Sequence, residues 1–182
     1  MQNLNYGVIG NCSTAALISE KGAIEWLCFP EFDSPSVFAA ILDRQKGGHF
    51  GFKVTSDYKV TQSYVPHTNI LSTHFESEEG AFDVVDFMPC YPTSDGKDFY
   101  RPAEIYRYIR WAKGRPRMKV DYRPAPNYAR GKTIYNVTSQ YVETYSSVEN
   151  KDRQYLYSSL DLKKVVNHDE ITLEKDEFFL FS

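Results

Sequence analysis

The sequence predicts an all-β protein, and three observations carry that prediction. Aromatic side chains make up 15% of the 182 residues, with 14 Tyr and 12 Phe against 3 Met, and such rings suit a pleated, half-buried surface. Apolar and polar residues alternate with period two in segment after segment, which sends one set to each face of a strand. Charged or Gly-containing turns separate these segments at the short spacing of a sandwich or barrel.

The elements follow in order. Residues 15–18 and 23–29 flank Glu20-Lys21-Gly22 and read as a hairpin. Phe50, Phe52 and Val54 alternate with Gly51 and Lys53; Tyr58, Val60, Gln62 and Tyr64 alternate with Lys59, Thr61 and Ser63. Residues 69–76 and 81–88 form a second hairpin across Ser77-Glu78-Glu79-Gly80. From Glu104 to Trp111 the alternation places Ile105, Arg107, Ile109 and Trp111 on one face, and the basic run from Arg107 to Lys119 reads as a strand edge with its flanking turn. Met118, Val120 and Tyr122 follow, Pro124 and Pro126 interrupt, and 133–145, 154–162 and 171–181 complete a set of about ten or eleven strands. One segment departs from the pattern. After Pro35, the residues Phe38, Ile41 and Leu42 share a helical face, which predicts one short helix near 36–44. Strand character persists through Phe181, as expected of a chain cut near a domain boundary, and 1–182 is expected to be a single domain.

Composition narrows the function classes. The apolar fraction of 42% and charged fraction of 25% are those of a folded soluble protein. A net charge of −3 and a pI near 5.8 argue against nucleic acid, which rewards clustered positive charge. Nothing approaches the apolar run of about 18 residues that a membrane helix needs, and the N-terminus lacks the basic and apolar regions of a signal peptide. A cytoplasmic location is the expectation. Cys12, Cys28 and Cys90 are far apart and form no C-x-x-C, which predicts free buried thiols in a reducing compartment. The sequons at Asn11 and Asn136 then read as chance matches.

No complete catalytic constellation is visible. His67 and His74 are seven residues apart, an odd separation that sends them to opposite faces of one strand, and His49 and His168 show no companion; no metal site is expected. Phosphate-cradling glycine motifs and nucleophile elbows are missing, so no cofactor is expected. Among carboxylates, Asp83 and Asp86 also fall on opposite faces, and Glu25, between Ile24 and Trp26, faces water or a hydrogen-bond partner. Asp33, in the loop 29–35, stands either as a turn or cap residue ahead of the predicted helix or as a substrate-facing group.

That loop and its hairpin carry a resemblance. Tyr6-Gly7-Val8-Ile9-Gly10-Asn11-Cys12-Ser13-Thr14-Ala15-Ala16-Leu17-Ile18, Gly22-Ala23-Ile24-Glu25-Trp26-Leu27-Cys28-Phe29-Pro30 and Phe32-Asp33-Ser34-Pro35-Ser36-Val37-Phe38 resemble the start of bacterial glucoamylase/trehalase-like proteins of glycoside hydrolase family fifteen. Tyr64-Val65-Pro66-His67-Thr68-Asn69, Val84-Val85-Asp86-Phe87-Met88-Pro89 and Tyr122-Arg123-Pro124-Ala125-Pro126-Asn127-Tyr128 continue it, more thinly beyond about Arg130. The resemblance implies a large two-sheet antiparallel sandwich, a supersandwich of galactose-mutarotase-like architecture. In that family the sandwich precedes a helical (α/α)6 barrel that hydrolyses α-glucosidic bonds with inversion, using two glutamates downstream of anything matched here. No residue of this chain inherits a catalytic role.

Three readings follow. In the first, the chain is the N-terminal domain of an inverting α-glucosidase of glucoamylase/trehalase type. Its partner is its own C-terminal barrel, and Trp26, Phe32 and Asp33 are the candidates for the rim of the substrate cleft. In the second, Tyr141, Tyr145, Tyr155 and Tyr157 form an aromatic platform and the chain is a stand-alone α-glucan-binding module. The third is a free-standing epimerase-like enzyme, whose His and Glu motifs are not found here.

Overall fold

Hairpins generate most of the architecture. The described residues of the computed structural model, 4–148 and 152–182, form seventeen strands and one helix. Strands β1 (Tyr6–Gly10), β2 (Ala15–Ser19), β3 (Ile24–Cys28), β4 (Ser36–Phe38) and β5 (His49–Val54) open one sheet. Strands β6 (Lys59–Tyr64), β7 (Leu71–Ser77) and β8 (Gly80–Phe87) open the other. A separate two-stranded hairpin, β9 (Tyr91–Pro92) with β10 (Phe99–Tyr100), leads to β11 (Ile105–Gly114) in the second sheet and β12 (Arg117–Arg123) in the first. Then β13 (Thr133–Val137), β14 (Val142–Ser146) and β15 (Gln154–Ser158) extend the second sheet. Helix α1 (Leu162–Asn167) follows, then β16 (Glu170–Thr172) in the first sheet and β17 (Glu177–Phe181) in the second.

The first sheet runs β1-β2-β3-β5-β12-β16, with β4 beside β3; the second runs β13-β14-β15-β17-β11-β8-β7-β6. Both are antiparallel, and their inner faces close on one core as a sandwich. The aromatic excess goes into that layer. Phe50 of β5 meets Phe179 of β17 edge-on at 5.3 Å, and Phe38 of β4 meets Phe181 at 5.7 Å. Contacts of this geometry contribute roughly 0.5–1.5 kcal/mol beyond area burial.

A charged pair crosses the same core. Arg107 and Asp86 are both 0% exposed, and their face assignment follows from the alternation: Ile105, Arg107 and Ile109 all point inward from β11. The guanidinium donates to both Asp86 oxygens, at 2.8 and 3.1 Å, and to the carbonyls of Phe50 and Gly22 on the opposite sheet. Its plane also lies over the Phe50 and Phe52 rings at 4.8 and 5.0 Å. One side chain therefore ties the two sheets together. The basic run that begins with Arg107 is not an edge, since β11 lies between β17 and β8.

The helix expected near 36–44 is not there. Ser36, Val37 and Phe38 pair with β3 as strand β4, with Phe38 opposite Leu27, because burial on both faces outweighs weak helical periodicity in so short a segment. Residues 39–47 then turn back through Ala39 N–H to Gly47 O and Gly47 N–H to Asp43 O. Leu42, expected to share a helical face with Phe38 and Ile41, is 76% exposed while Phe38 is buried. The helix among the described residues is α1, capped by Asp161, whose side chain accepts from Lys163 N–H at 2.9 Å. At six residues it is too short to show periodicity, and all but its first residue falls in the charged turn expected between the strands 154–162 and 171–181. The thiols differ too: Cys28 is buried, but Cys12 and Cys90 are exposed.

Candidate functional site at the loop end

The loop 29–35 is built from the turn that precedes it in space. After β1, Asn11 folds its amide back so that Oδ1 accepts from the N–H groups of Ser13 and Thr14, at 3.0 and 3.1 Å. Its Nδ2 donates to Pro102 O at 2.9 Å, which leaves Asn11 only 2% exposed and fully engaged. Cys12 takes the left-handed backbone this tight turn needs, with φ at 72°. Thr14 Oγ1 donates to Cys28 O at 2.6 Å, and Phe32 N–H donates to Ser13 O at 3.0 Å. The loop also closes on itself through Phe29 N–H to Pro35 O and Glu31 N–H to Ser34 Oγ. The product is an exposed tip on a hydrogen-bonded base.

Phe32 and Asp33 occupy that tip. Phe32 is 61% exposed, and Asp33 is exposed beside it in the turn. Because β4 follows where a helix was expected, Asp33 caps no helix. Trp26 belongs to different surroundings. It sits half-buried in β3 opposite Leu17. The register shift between Leu17 and Ile18 leaves Glu25 as an extra residue, so that Ile24 and Leu27 both turn into the core. Glu25 accepts from the Tyr6 hydroxyl at 2.6 Å; burial and that carboxylate push the Tyr6 phenol up to about 12.

The sequence reading missed a neighbour of this site. Hairpin β9–β10 exposes Tyr91, Phe99 and Tyr100, and Arg101 lies over the Phe99 ring at 5.8 Å. Its turn is held by Thr93, whose hydroxyl donates to Asp95 Oδ1 at 2.7 Å. Pro102, at its base, is the group Asn11 holds. The signal was present in the sequence: a Thr93-Ser94-Asp95-Gly96 turn between aromatic residues.

Two further clusters bear on function. His49 and His168, which show no companions along the chain, meet at Asp121 of β12: His49 Nε2 lies 2.8 Å from Oδ2, and His168 Nδ1 lies 3.9 Å from Oδ1. Arg123 and Lys53 complete the cluster at 2.6 and 2.9 Å. Burial works against the Asp121 charge, but hydrogen bonds from His49, Arg123 and Lys53 outweigh it and hold the carboxyl well below the usual carboxylate range. The tyrosines of the second sheet, by contrast, pack on each other. Tyr141 meets Tyr155 at 5.4 Å and 83° and Tyr157 at 5.7 Å and 60°, and Arg153 covers Tyr145 at 4.8 Å. Rings turned edge to face do not present the flat platform that a stacked sugar requires. Asp83 and Asp86 lie on opposite faces of β8: Asp83 pairs outward with His74 and Arg110, while Asp86 points inward.

Comparison with known proteins gives one consistent answer. Residues 5–150 match the family described as "Trehalase-like, N-terminal". The chain is 36% identical over 132 residues to a trehalase of Thermoplasma volcanium, covering 71% of this chain and 20% of that protein. It is 33% identical over 155 residues to a trehalase of Thermoplasma acidophilum, covering 84% and 26%. Trehalase 1 of Sulfolobus acidocaldarius is 51% identical over 85 residues, 46% of this chain and 14% of that protein. The matches thus span between 14% and 26% of the length of these relatives. No solved structure matches.

Proposed function

Because the chain belongs to the trehalase-like N-terminal family, we propose that it serves as the accessory domain of an inverting α-glucosidase of glucoamylase/trehalase type. The relatives named as trehalases are four to five times longer than the matched region, which leaves room in them for a separate catalytic barrel. In this reading the sandwich packs against that barrel and holds the loop 29–35 at the rim of its substrate cleft. Binding sites form readily where two domains meet.

The observation that carries this reading is the loop tip itself. Phe32 is a large exposed apolar ring on a loop whose base is hydrogen-bonded through Phe32 N–H, Phe29 N–H and Glu31 N–H. An exposed ring on a fixed base is suited to stack on a sugar or to seat in a partner surface. Asp33 beside it offers two acceptor oxygens for sugar hydroxyls. Trp26 has a supporting position in β3 and not a place on the tip. The stand-alone glucan-binding reading would have to use these tyrosines singly, since Tyr141 meets Tyr155 edge-on and Tyr157 tilted.

Steady-state hydrolysis of trehalose by the full-length enzyme tests the proposal. Asp33→Ala and Phe32→Ala are expected to raise KM by roughly tenfold each, the cost of one charge-assisted or stacking contact, with the melting temperature unchanged. Native kinetics in both variants would remove the rim role.

A further inference from the structure

The outer face of the first sheet carries a concavity built from residues distinct from the loop tip. It has a volume of about 400 Å³ and lies between the 44–49 turn, the chain after β12 and the end of α1. Arg44, Lys46, His49, Arg123 and His168 line it, with no carboxylate among its described lining residues. This concentration of positive charge stands against a chain whose net charge is −3. Neither Arg44 nor Lys46 makes an ion pair among the described residues, whereas Arg123 is fixed by Asp121.

Asp121 organises the cluster from behind. Its side chain is 6% exposed and belongs to the adjoining depression, which shares Arg44 and His49 with this one. The carboxylate accepts from His49 Nε2 and Arg123 Nε, so both are oriented before any ligand arrives. His168 is set independently: its Nδ1 lies 2.9 Å from Val120 O, a group that only accepts, so Nδ1 carries the proton. One buried anion therefore holds two of the lining groups, and a backbone carbonyl holds a third. Three permanent cations around one small cavity, Arg44, Lys46 and Arg123, exceed what a single carboxylate ligand would neutralise. They match a phosphate dianion, which accepts several charge-assisted hydrogen bonds at once. The cavity's other wall holds Tyr135, a ring of the kind that contacts a sugar, beside Thr133, whose hydroxyl donates to Pro124 O. A long polyanion fits less well, because the acidic remainder of the surface repels it.

We propose that this cleft is a binding site for a phosphate group, carried by a small sugar ester or free in solution. Arg44 and Lys46 close on the phosphate from the turn, Arg123 receives it from the sheet through the guanidinium nitrogens that Asp121 leaves free, and Tyr135 lies against whatever the phosphate carries.

Titration of the 182-residue chain with glucose 6-phosphate, inorganic phosphate and glucose, each at constant ionic strength and followed by NMR, tests the site. Both phosphate compounds are expected to shift the resonances of residues 44–49, 123–135 and 168, and glucose is not. Tighter binding of glucose 6-phosphate assigns the site to a sugar ester; equal binding assigns it to free phosphate. Because Arg44 and Lys46 are exposed and their side chains make no ion pair among the described residues, Arg44→Ala/Lys46→Ala should keep the native melting temperature while weakening phosphate binding by at least roughly tenfold. The proposal is overturned if neither phosphate compound binds at millimolar concentration, or if the double variant binds as tightly as the native chain.

Discussion

Asp86 and Asp121 are two carboxylates held by arginine in one sandwich, and they do opposite work. Asp86 and Arg107 lie at 0% exposure between the sheets, and every donor of the guanidinium that is engaged meets a buried acceptor. Burial there pushes the Asp86 carboxyl above its ordinary range, against the pull of Arg107. Asp121 sits under the outer face, and burial is overcome by three donors that hold its carboxyl low. The first is a staple that closes the sandwich; the second is an anchor that arranges cations at a surface. Depth separates them, because the same pair of charges is costly to leave unmatched in the core and adjustable where its partners reach water.

The largest expected effect follows from breaking the staple. Arg107→Ala leaves Asp86 buried without its partner and the carbonyls of Phe50 and Gly22 without a donor. It should cost about 3–5 kcal/mol in urea unfolding at neutral pH. Replacing both charges, as Arg107→Met with Asp86→Leu, should recover most of that loss, because no unpaired charge is left in the core. If the double variant is as unstable as the single one, the pair does more than match charges.

Acid unfolding sharpens the contrast, since the two carboxylates have opposite signs of linkage. The Asp121 pKa is lower in the folded than in the unfolded chain, so its stabilisation is complete above about pH 4 and is lost as the pH falls below that value. Asp121→Asn should therefore be less stable than the native chain at neutral pH, by about 1–3 kcal/mol, and the gap should close as pH drops from about 4 towards 2. The Asp86 pKa is raised on folding, so its contribution moves the other way and favours the folded chain as acid is added. A stability gap for Asp121→Asn that stays constant across the acid range would contradict the depressed carboxyl. The smallest effect belongs to the outward side of β8. Asp83→Asn removes partners from half-exposed His74 and Arg110 and should cost no more than about 1 kcal/mol in the same denaturant assay.

The depth of each group explains what the sequence could reveal. Period-two alternation placed Ile105, Arg107 and Ile109 on one face and sent Asp83 and Asp86 to opposite ones, because on a strand the face is set by parity alone. The hairpins on either side of Gly22 and Gly80 were legible for the same reason: turn chemistry is local. Segment 36–44 failed because Ser36, Val37 and Phe38 are decided by pairing with β3, a partner that is selected in three dimensions. The cluster at Asp121 was invisible for a related reason. His49, Asp121 and His168 come from β5, β12 and the end of α1, and no spacing in the chain announces that these three meet. At the candidate rim, Phe32 and Asp33 could be singled out from their loop, whereas the support by Asn11 and the nearby aromatic hairpin depended on the contact with Pro102.

The proposed accessory role is tested most directly by measuring glucose release from trehalose by this chain alone and by the same chain joined to the remaining C-terminal region of a trehalase relative. No turnover is expected from the chain alone, and hydrolysis is expected from the joined protein, reduced when Phe32 and Asp33 are both replaced by alanine. Saturable release of glucose by the 182-residue chain on its own would contradict the accessory role.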